Sequence, residues 1–268
     1  MFSIDNNRCA SNFTFWQLFY QRHMSFVIKA KYMKNPWTCR MLYLLSFTIV
    51  TGCVSYKATP TKNRTMQQNP PSNTPANAHM NTTDFDRLVQ RFDNPERDLW
   101  QKPGQVIALL GDLHGKAVAD IGSGTGYFSI RMAKSGANVI ACDVDERFLN
   151  YLKERIKSTD LGEGTIHPQL VSFDDPMLDK GSIDIAIIVN TYHHIDNRPD
   201  YFAKVKAGLK DGGRLVVIDF KVEETPMGPP LEIRVPPVQV KKELQEAGFK
   251  TFEVNDSLLP YQYIVEAR

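Results

Sequence analysis

The sequence is short of several things, and each shortage excludes a class of protein. Its 268 residues include four cysteines, Cys9, Cys39, Cys53 and Cys142, with no C-x-x-C pair among them. A zinc site or a disulfide framework is not expected from that set. Charge of one sign is also missing, because 32 Lys and Arg stand against 30 Asp and Glu for a net charge of +2. No basic run interleaved with aromatics appears downstream of the N-terminal region, so no nucleic-acid partner is expected. Long hydrophobic runs are absent too. "MLYLLSFTIV", residues 41–50, is shorter than the roughly 20 apolar residues that a membrane-crossing helix needs.

That short run has a recognisable setting. Met33 opens a stretch in which Lys34 and Arg40 precede the apolar residues, and Val50, Thr51 and Gly52 lead into Cys53. A basic flank, a short apolar centre and small residues before a fixed position make up a signal-peptide layout. The last four residues resemble a bacterial lipobox. That resemblance implies lipidation at Cys53, export, and a membrane-anchored lipoprotein of the cell envelope. The alternative is a mis-assigned start in front of a cytoplasmic enzyme. If the chain is cut before Cys53, Cys142 is left as a free thiol. Residues 54–83, rich in Pro, Asn and Thr and nearly free of large apolar side chains, read as a disordered tether.

From Asp84 onward apolar positions recur with alternating helix and strand periods, which marks residues 84–268 as the folded domain. "DFDRLVQRF" and "KPGQVIALLGD" read as helices, and Ala117 to Ile121 as a buried strand. There follow helix "GYFSIRMAKSG", strand "NVIACDV", helix "ERFLNYLKERIKS", a strand near "IHPQLVSF" and the apolar strand "SIDIAIIVN". Helix "RPDYFAKVKAGLK", a turn at "DGG" and strand "RLVVIDF" come next. Helix "VQVKKELQEAGF" then leads to strands "KTFEVND" and "YQYIVEAR", whose short link suits an antiparallel edge pair. The sum is an α/β, Rossmann-like doubly wound sheet of about seven strands, mostly parallel. Its ligand belongs outside the carboxyl ends of the strands, near the first one.

The chemistry centres on "DIGSGTG", Asp120 to Gly126, with glycines at alternate positions between a strand and a helix. Glycine lets the backbone approach a ligand and take conformations a side chain forbids. The dinucleotide pattern G-x-G-x-x-G fits poorly, since counting from Gly122 places Tyr127 at the last glycine. Asp-x-Gly-x-Gly-x-Gly instead resembles the first motif of class I S-adenosylmethionine-dependent methyltransferases, and the likeness extends over residues 116–220.

The resemblance implies a set of cofactor contacts. Asp120, Gly122, Ser123, Gly124 and Gly126 would form the loop under the amino-acid end of S-adenosyl-L-methionine. Asp143 would accept both ribose hydroxyls, with Val144 beside it. Asp174, preferred over Asp175, would face the adenine amino group or merely turn the chain before Pro176. Asn190 opens "VNTYHHIDN", the segment below the cofactor. Asp145 reads as a helix cap.

Methyl transfer needs in-line positioning above all, and a base only when the acceptor must lose a proton. His193 and His194 are the candidate bases; local packing is the other reading for His194, and a wall of the acceptor pocket for His193 and Tyr192. Arg97, Trp100, Tyr261 and Tyr263 form polar-aromatic clusters that either cover the cofactor or pack. "VEETPMGPPLEIRVP", residues 222–236, is read as a cover over the site. The expected function is methylation of a small-molecule or lipid-like acceptor. The alternative is an exported, membrane-tethered S-adenosylmethionine-binding protein without turnover.

Overall fold

The computed structural model describes Asn77 and residues 83–268. The signal sequence, Cys53 and most of the expected tether lie outside the described residues. Within the expected tether, Asn77 is helical and buried at 7 % exposure.

Among the described residues, and apart from the helical Asn77, three helices precede the sheet: α1 (Phe85–Phe92), α2 (Arg97–Gln101) and α3 (Pro103–Leu110). Asp84 caps α1 by accepting the backbone N–H groups of Asp86 and Arg87, and Pro103 occupies the first turn of α3, where no N–H is needed. The alternating units follow as β1 (Ala117–Ile121), α4 (Tyr127–Lys134), β2 (Asn138–Asp143), α5 (Glu146–Lys157), β3 (Thr165–Leu170) and β4 (Ile183–Val189). After a 3₁₀ turn at Tyr192–His194 come α6 (Arg198–Gly208), β5 (Leu209–Phe220), a second 3₁₀ turn at Leu231–Ile233, α7 (Pro237–Glu246), β6 (Phe252–Asn255) and β7 (Gln262–Ala267).

The seven strands lie in the order β3-β2-β1-β4-β5-β7-β6. β1 to β5 are mutually parallel, and β7 runs antiparallel to both β5 and β6. Helix α2 and the two 3₁₀ turns are not among the expected elements, and the junction before β5 also differs from expectation. Asp211 to Gly213 form no separate turn: β5 starts at Leu209, and the register against β4 shifts between Ile183 and Ile185. Gly212, at φ 77°, sits in that irregularity. A bulge there absorbs the extra residues without ending the strand.

The continuous apolar strands are explained by two covered faces. Along β4, Ala186 and Ile188 pack with Phe202, Val205, Val240 and Leu244 of α6 and α7, while Ile185 and Ile187 pack with Val106, Leu110 and Met132 of α3 and α4. β5 divides in the same way, Leu215 and Val217 to one face and Val216 and Ile218 to the other. Because side chains alternate along a strand, burying both faces demands an apolar residue at every position. Free Cys142 lies buried on β2 in this core.

The chain runs outward from β1 to β3 and then returns to β4 on the other side of β1. Connections leave in opposite directions at that point and open a crevice at the carboxyl ends of β1 and β4.

Candidate active site

A cavity of about 830 Å³ fills this crevice. The loop from Gly122 to Thr125 forms one wall, Asp143 to Phe148 another, and Val189 to Thr191 with His193 and His194 a third. Met227, Gly228, Pro229, Pro230 and Ile233, from the segment 222–236, also line it.

The glycine loop is shaped by its packing. Gly122, Gly124 and Gly126 have φ of 72°, 51° and 80°, in the left-handed region. A Cβ on Gly122 would stand 2.4 Å from Thr191 Cγ2, and one on Gly126 would stand 2.4 Å from Leu152 Cδ1. The first contact locks the end of β1 to the end of β4, and the second lets α5 close on the loop. At Gly124 the nearest atom is 3.4 Å away, so conformation and not space requires glycine there.

Two carboxylates flank the loop. Asp120 is buried and accepts Ser129 Oγ at 2.5 Å; burial pushes its pKa up to about 6 against the pull of that hydrogen bond. Asp143 accepts the Gly124 N–H at 2.8 Å on Oδ2 and the Asp145 N–H at 2.9 Å on Oδ1. Burial likewise raises it to about 6. Each Asp143 oxygen keeps a second lone pair, which suits a ligand with two adjacent hydroxyls. Asp145 caps α5 through the Arg147 N–H.

Ser123 Oγ is buried and has no hydrogen-bond partner among the described residues, although Ser123 lines the cavity. A buried hydroxyl without a partner is costly, and a polar ligand in the cavity would satisfy it. Val144, 40 % exposed, gives the same wall an apolar surface. An S-adenosylmethionine molecule matches these groups: hydroxyls for Asp143, an apolar ring for Val144, and a polar amino-acid end for the loop.

Asp174 requires a correction. It is exposed and lies outside the cavity wall, to which Val171, Ser172 and Phe173 contribute instead. Its carboxylate accepts Ser172 Oγ at 2.8 Å. Tyr192 is also misplaced by the sequence reading. It is fully buried behind the wall, stacks on Phe202 and donates to Glu243 Oε2 at 2.7 Å. The Tyr192–His194 turn puts consecutive side chains on different sides, so the core takes Tyr192 and the cavity takes His193.

Asn190 lines the cavity at φ 57°, but its amide is engaged. It donates to Gln101 Oε1 at 3.3 Å and accepts from Gln262 Nε2, and Gln101 Nε2 donates to Gln262 Oε1 at 2.5 Å. This closed ring of three amides fastens α2 to the ends of β4 and β7. The same Gln101 oxygen accepts Arg97 Nε at 3.2 Å.

Arg97 is a second residue whose role the sequence left open. Its guanidinium lies 3.9 Å from the centre of the Tyr127 ring and donates to the Phe92 carbonyl at 3.0 Å. Burial lowers its pKa to about 10. Arg97 and Trp100 both line the cavity, Trp100 packing against Phe220 and Tyr261. Tyr263 belongs to the core, its hydroxyl on the Val235 carbonyl at 2.7 Å.

The two histidines have different surroundings. His193 Nδ1 is 2.9 Å from Asp219 Oδ2 and 3.1 Å from Oδ1, with 4 % and 1 % of the two side chains exposed. His194 Nδ1 lies 2.9 Å from Asn77 Oδ1, and Asn77 Nδ2 donates to the His194 carbonyl at 3.1 Å. Asp219 and Asn77 had no role in the sequence reading.

Known proteins resemble this chain in sequence and in fold. The family model described as "Methyltransferase domain" matches residues 119–217. A demethylmenaquinone methyltransferase of Tropheryma whipplei (strain Twist) is 30 % identical over 143 residues, covering 51 % of this chain and 57 % of that protein. A tRNA U34 carboxymethyltransferase of Marinobacter nauticus is 28 % identical over 133 residues, covering 50 % of this chain and 40 % of that one. The chain thus spans less than two thirds of the length of these relatives. A crystal structure of a SAM-dependent methyltransferase from Aquifex aeolicus superposes with a TM-score of 0.63 at 26 % identity, covering 69 % of this chain and 98 % of the other. Residues 119–217 thus match a methyltransferase domain carried on a sheet of the class I methyltransferase type, and that fold and domain imply S-adenosyl-L-methionine as the cofactor.

Proposed function

We propose that this chain transfers the methyl group of S-adenosylmethionine to a small, largely apolar acceptor. The observation that carries the reading is the continuity of the cavity, which runs from the glycine loop and Asp143 to a region walled by Trp100, Phe220, Met227 and Ile233. S-adenosylmethionine brings an electrophilic methyl group on a sulfonium. The chain's task is then to hold the donor and the acceptor in line and to keep water out. Gly122 to Thr125 and Asp143 would hold one partner, and residues 227–233 would close over the other. One relative is named for demethylmenaquinone and another for tRNA U34, which are acceptors of different size. Apolar walls and a net charge of +2 favour the smaller class.

Turnover is preferred over a binding role because both ends of the cavity are furnished. The test is S-adenosylhomocysteine formation by the full chain supplied with S-adenosylmethionine and a total small-molecule and lipid extract. Product dependent on the extract supports methyl transfer. Cofactor binding without product would favour the binding protein.

For location we propose the cell envelope, with Cys53 as a lipid anchor. Support comes from the layout of residues 33–53 and the Pro, Asn and Thr bias that follows. The alternative is a cytoplasmic enzyme. Among the described residues no helix is long and apolar enough to cross a membrane.

A further inference from the structure

Resting on the methyl-transfer reading, we propose that His193 and Asp219 form a base pair that takes the proton of an aromatic or enolic hydroxyl, so that the acceptor is methylated on oxygen. Asp219 sits near the end of β5, and His193 is in the turn after β4, the neighbouring strand. The carboxylate accepts on both oxygens: the Phe220 N–H reaches Oδ1 at 2.8 Å, the His193 N–H reaches Oδ2 at 3.3 Å, and imidazole Nδ1 reaches both. An ionised carboxylate only accepts, so Nδ1 carries the proton, and in the neutral imidazole Nε2 then holds the lone pair. His193 lines the cavity, and no protein group among the described residues bonds Nε2.

Fastening a turn does not require this arrangement. The His193 backbone N–H already ties the turn to Asp219, yet the buried carboxylate also holds the imidazole of a residue that lines the cavity. A buried carboxylate behind a histidine is the device that fixes its tautomer and stabilises the imidazolium formed when it accepts a proton. In the proposed step the acceptor O–H breaks and its proton goes to His193 Nε2. The oxygen pair forms the O–CH₃ bond, and the C–S pair returns to sulfur. One positive charge leaves the sulfonium and one appears on the imidazolium beside Asp219, so the cavity keeps its net charge.

Acceptor acidity selects the class. Imidazole removes a proton efficiently only from a group of comparable acidity, which a phenol or enol approaches and an aliphatic alcohol does not. An amine acceptor attacks in its neutral form and has less need of a base. Asp219 is a positioning residue in this account, and His193 is the catalytic one.

The test uses the full chain in complex with S-adenosylhomocysteine at pH 6, titrated with 4-nitrophenol, whose ionised form absorbs in the visible range. The expected result is a phenolate band on binding that is lost in His193→Gln and weakened in Asp219→Asn. The second arm measures methyl transfer at pH 8.5 to 4-nitrophenol, already ionised in solution, and to 2-naphthol, which is not. His193→Gln should lower kcat for 2-naphthol by about 100-fold or more and for 4-nitrophenol by less than about fivefold. A structural role for the pair would reduce both acceptors alike. No band, an equal band in His193→Gln, equal losses on the two phenols, or methylation of neither phenol overturns the proposal. If the full chain fails to bind S-adenosylhomocysteine, the methyltransferase reading itself falls, and the proposal with it. Calorimetric affinity for that product, expected within about threefold of the unsubstituted chain, shows that both variants are folded.

Discussion

Asp143 Oδ2 accepts the backbone N–H of Gly124 at 2.8 Å, which ties the end of β2 to the glycine loop after β1. The residue expected to bind the ribose therefore also holds the loop expected to lie under the amino-acid end. Substitution at Asp143 should disturb both ends of the ligand. Losing one or two charge-assisted hydrogen bonds costs about 1.5–3 kcal/mol, or roughly 10- to 100-fold in affinity. Isothermal calorimetry with S-adenosylmethionine should show that loss for Asp143→Ala. An unchanged affinity would remove Asp143 from the site.

Affinity should also depend on pH, with a sign set by burial. Asp143 titrates at about 6 because burial disfavours its charge, and ribose hydroxyls donate to the ionised form. Affinity should rise as pH increases through 6 and level off above it, and Asp143→Asn should flatten the curve. Stability moves the opposite way. The folded carboxyl holds its proton more tightly than the unfolded one, whose value is near 3.8. The contribution of Asp143 is thus fully present below that value and is lost as pH rises toward 6. Asp120, also raised to about 6, adds in the same direction. Calorimetry from pH 5 to 8, beside urea titrations over pH 4 to 7, measures the two trends.

Gly122→Ala tests the junction of β1 and β4. The new Cβ would meet Thr191 Cγ2 at 2.4 Å on a backbone at φ 72°. Strain and displacement together should cost about 1–3 kcal/mol, lowering Tm by roughly 2–4 °C per kcal/mol in a domain of this size. Gly212→Ala meets nothing within 4 Å and carries only the φ penalty, so it should be milder. Thermal unfolding of the two variants gives the comparison.

Some of this site can be read in the linear sequence because it is built from local chain. The Asp120–Gly126 loop and Asp143 are each fixed by their place at a strand end, and the strands are long apolar runs that only a doubly covered sheet explains. The other parts depend on distant pairings. His193 and Asp219 are 26 residues apart and meet only because β4 and β5 are neighbours. Gln101 and Gln262 are 161 residues apart and look like ordinary polar residues until their ring with Asn190 is seen. Asp174 failed for a related reason: the chain leaving β3 turns at Ser172, with a bridge to Asp175, and carries the Asp174 carboxylate outward.

The proposed anchor makes its own prediction. Cys53→Ser should abolish palmitate labelling and leave the chain out of the membrane fraction, while the unsubstituted chain should accumulate as an uncleaved precursor in globomycin. Equal fractionation of the two forms would favour the cytoplasmic alternative.

The central claim is that the crevice beyond β1 and β4 holds S-adenosylmethionine through the glycine loop and Asp143. Its most direct test is a calorimetric titration of the full chain with S-adenosylmethionine at pH 7.5. The account predicts saturable one-to-one binding that Asp143→Ala weakens by roughly 10- to 100-fold. Absence of binding by the unsubstituted chain would contradict it.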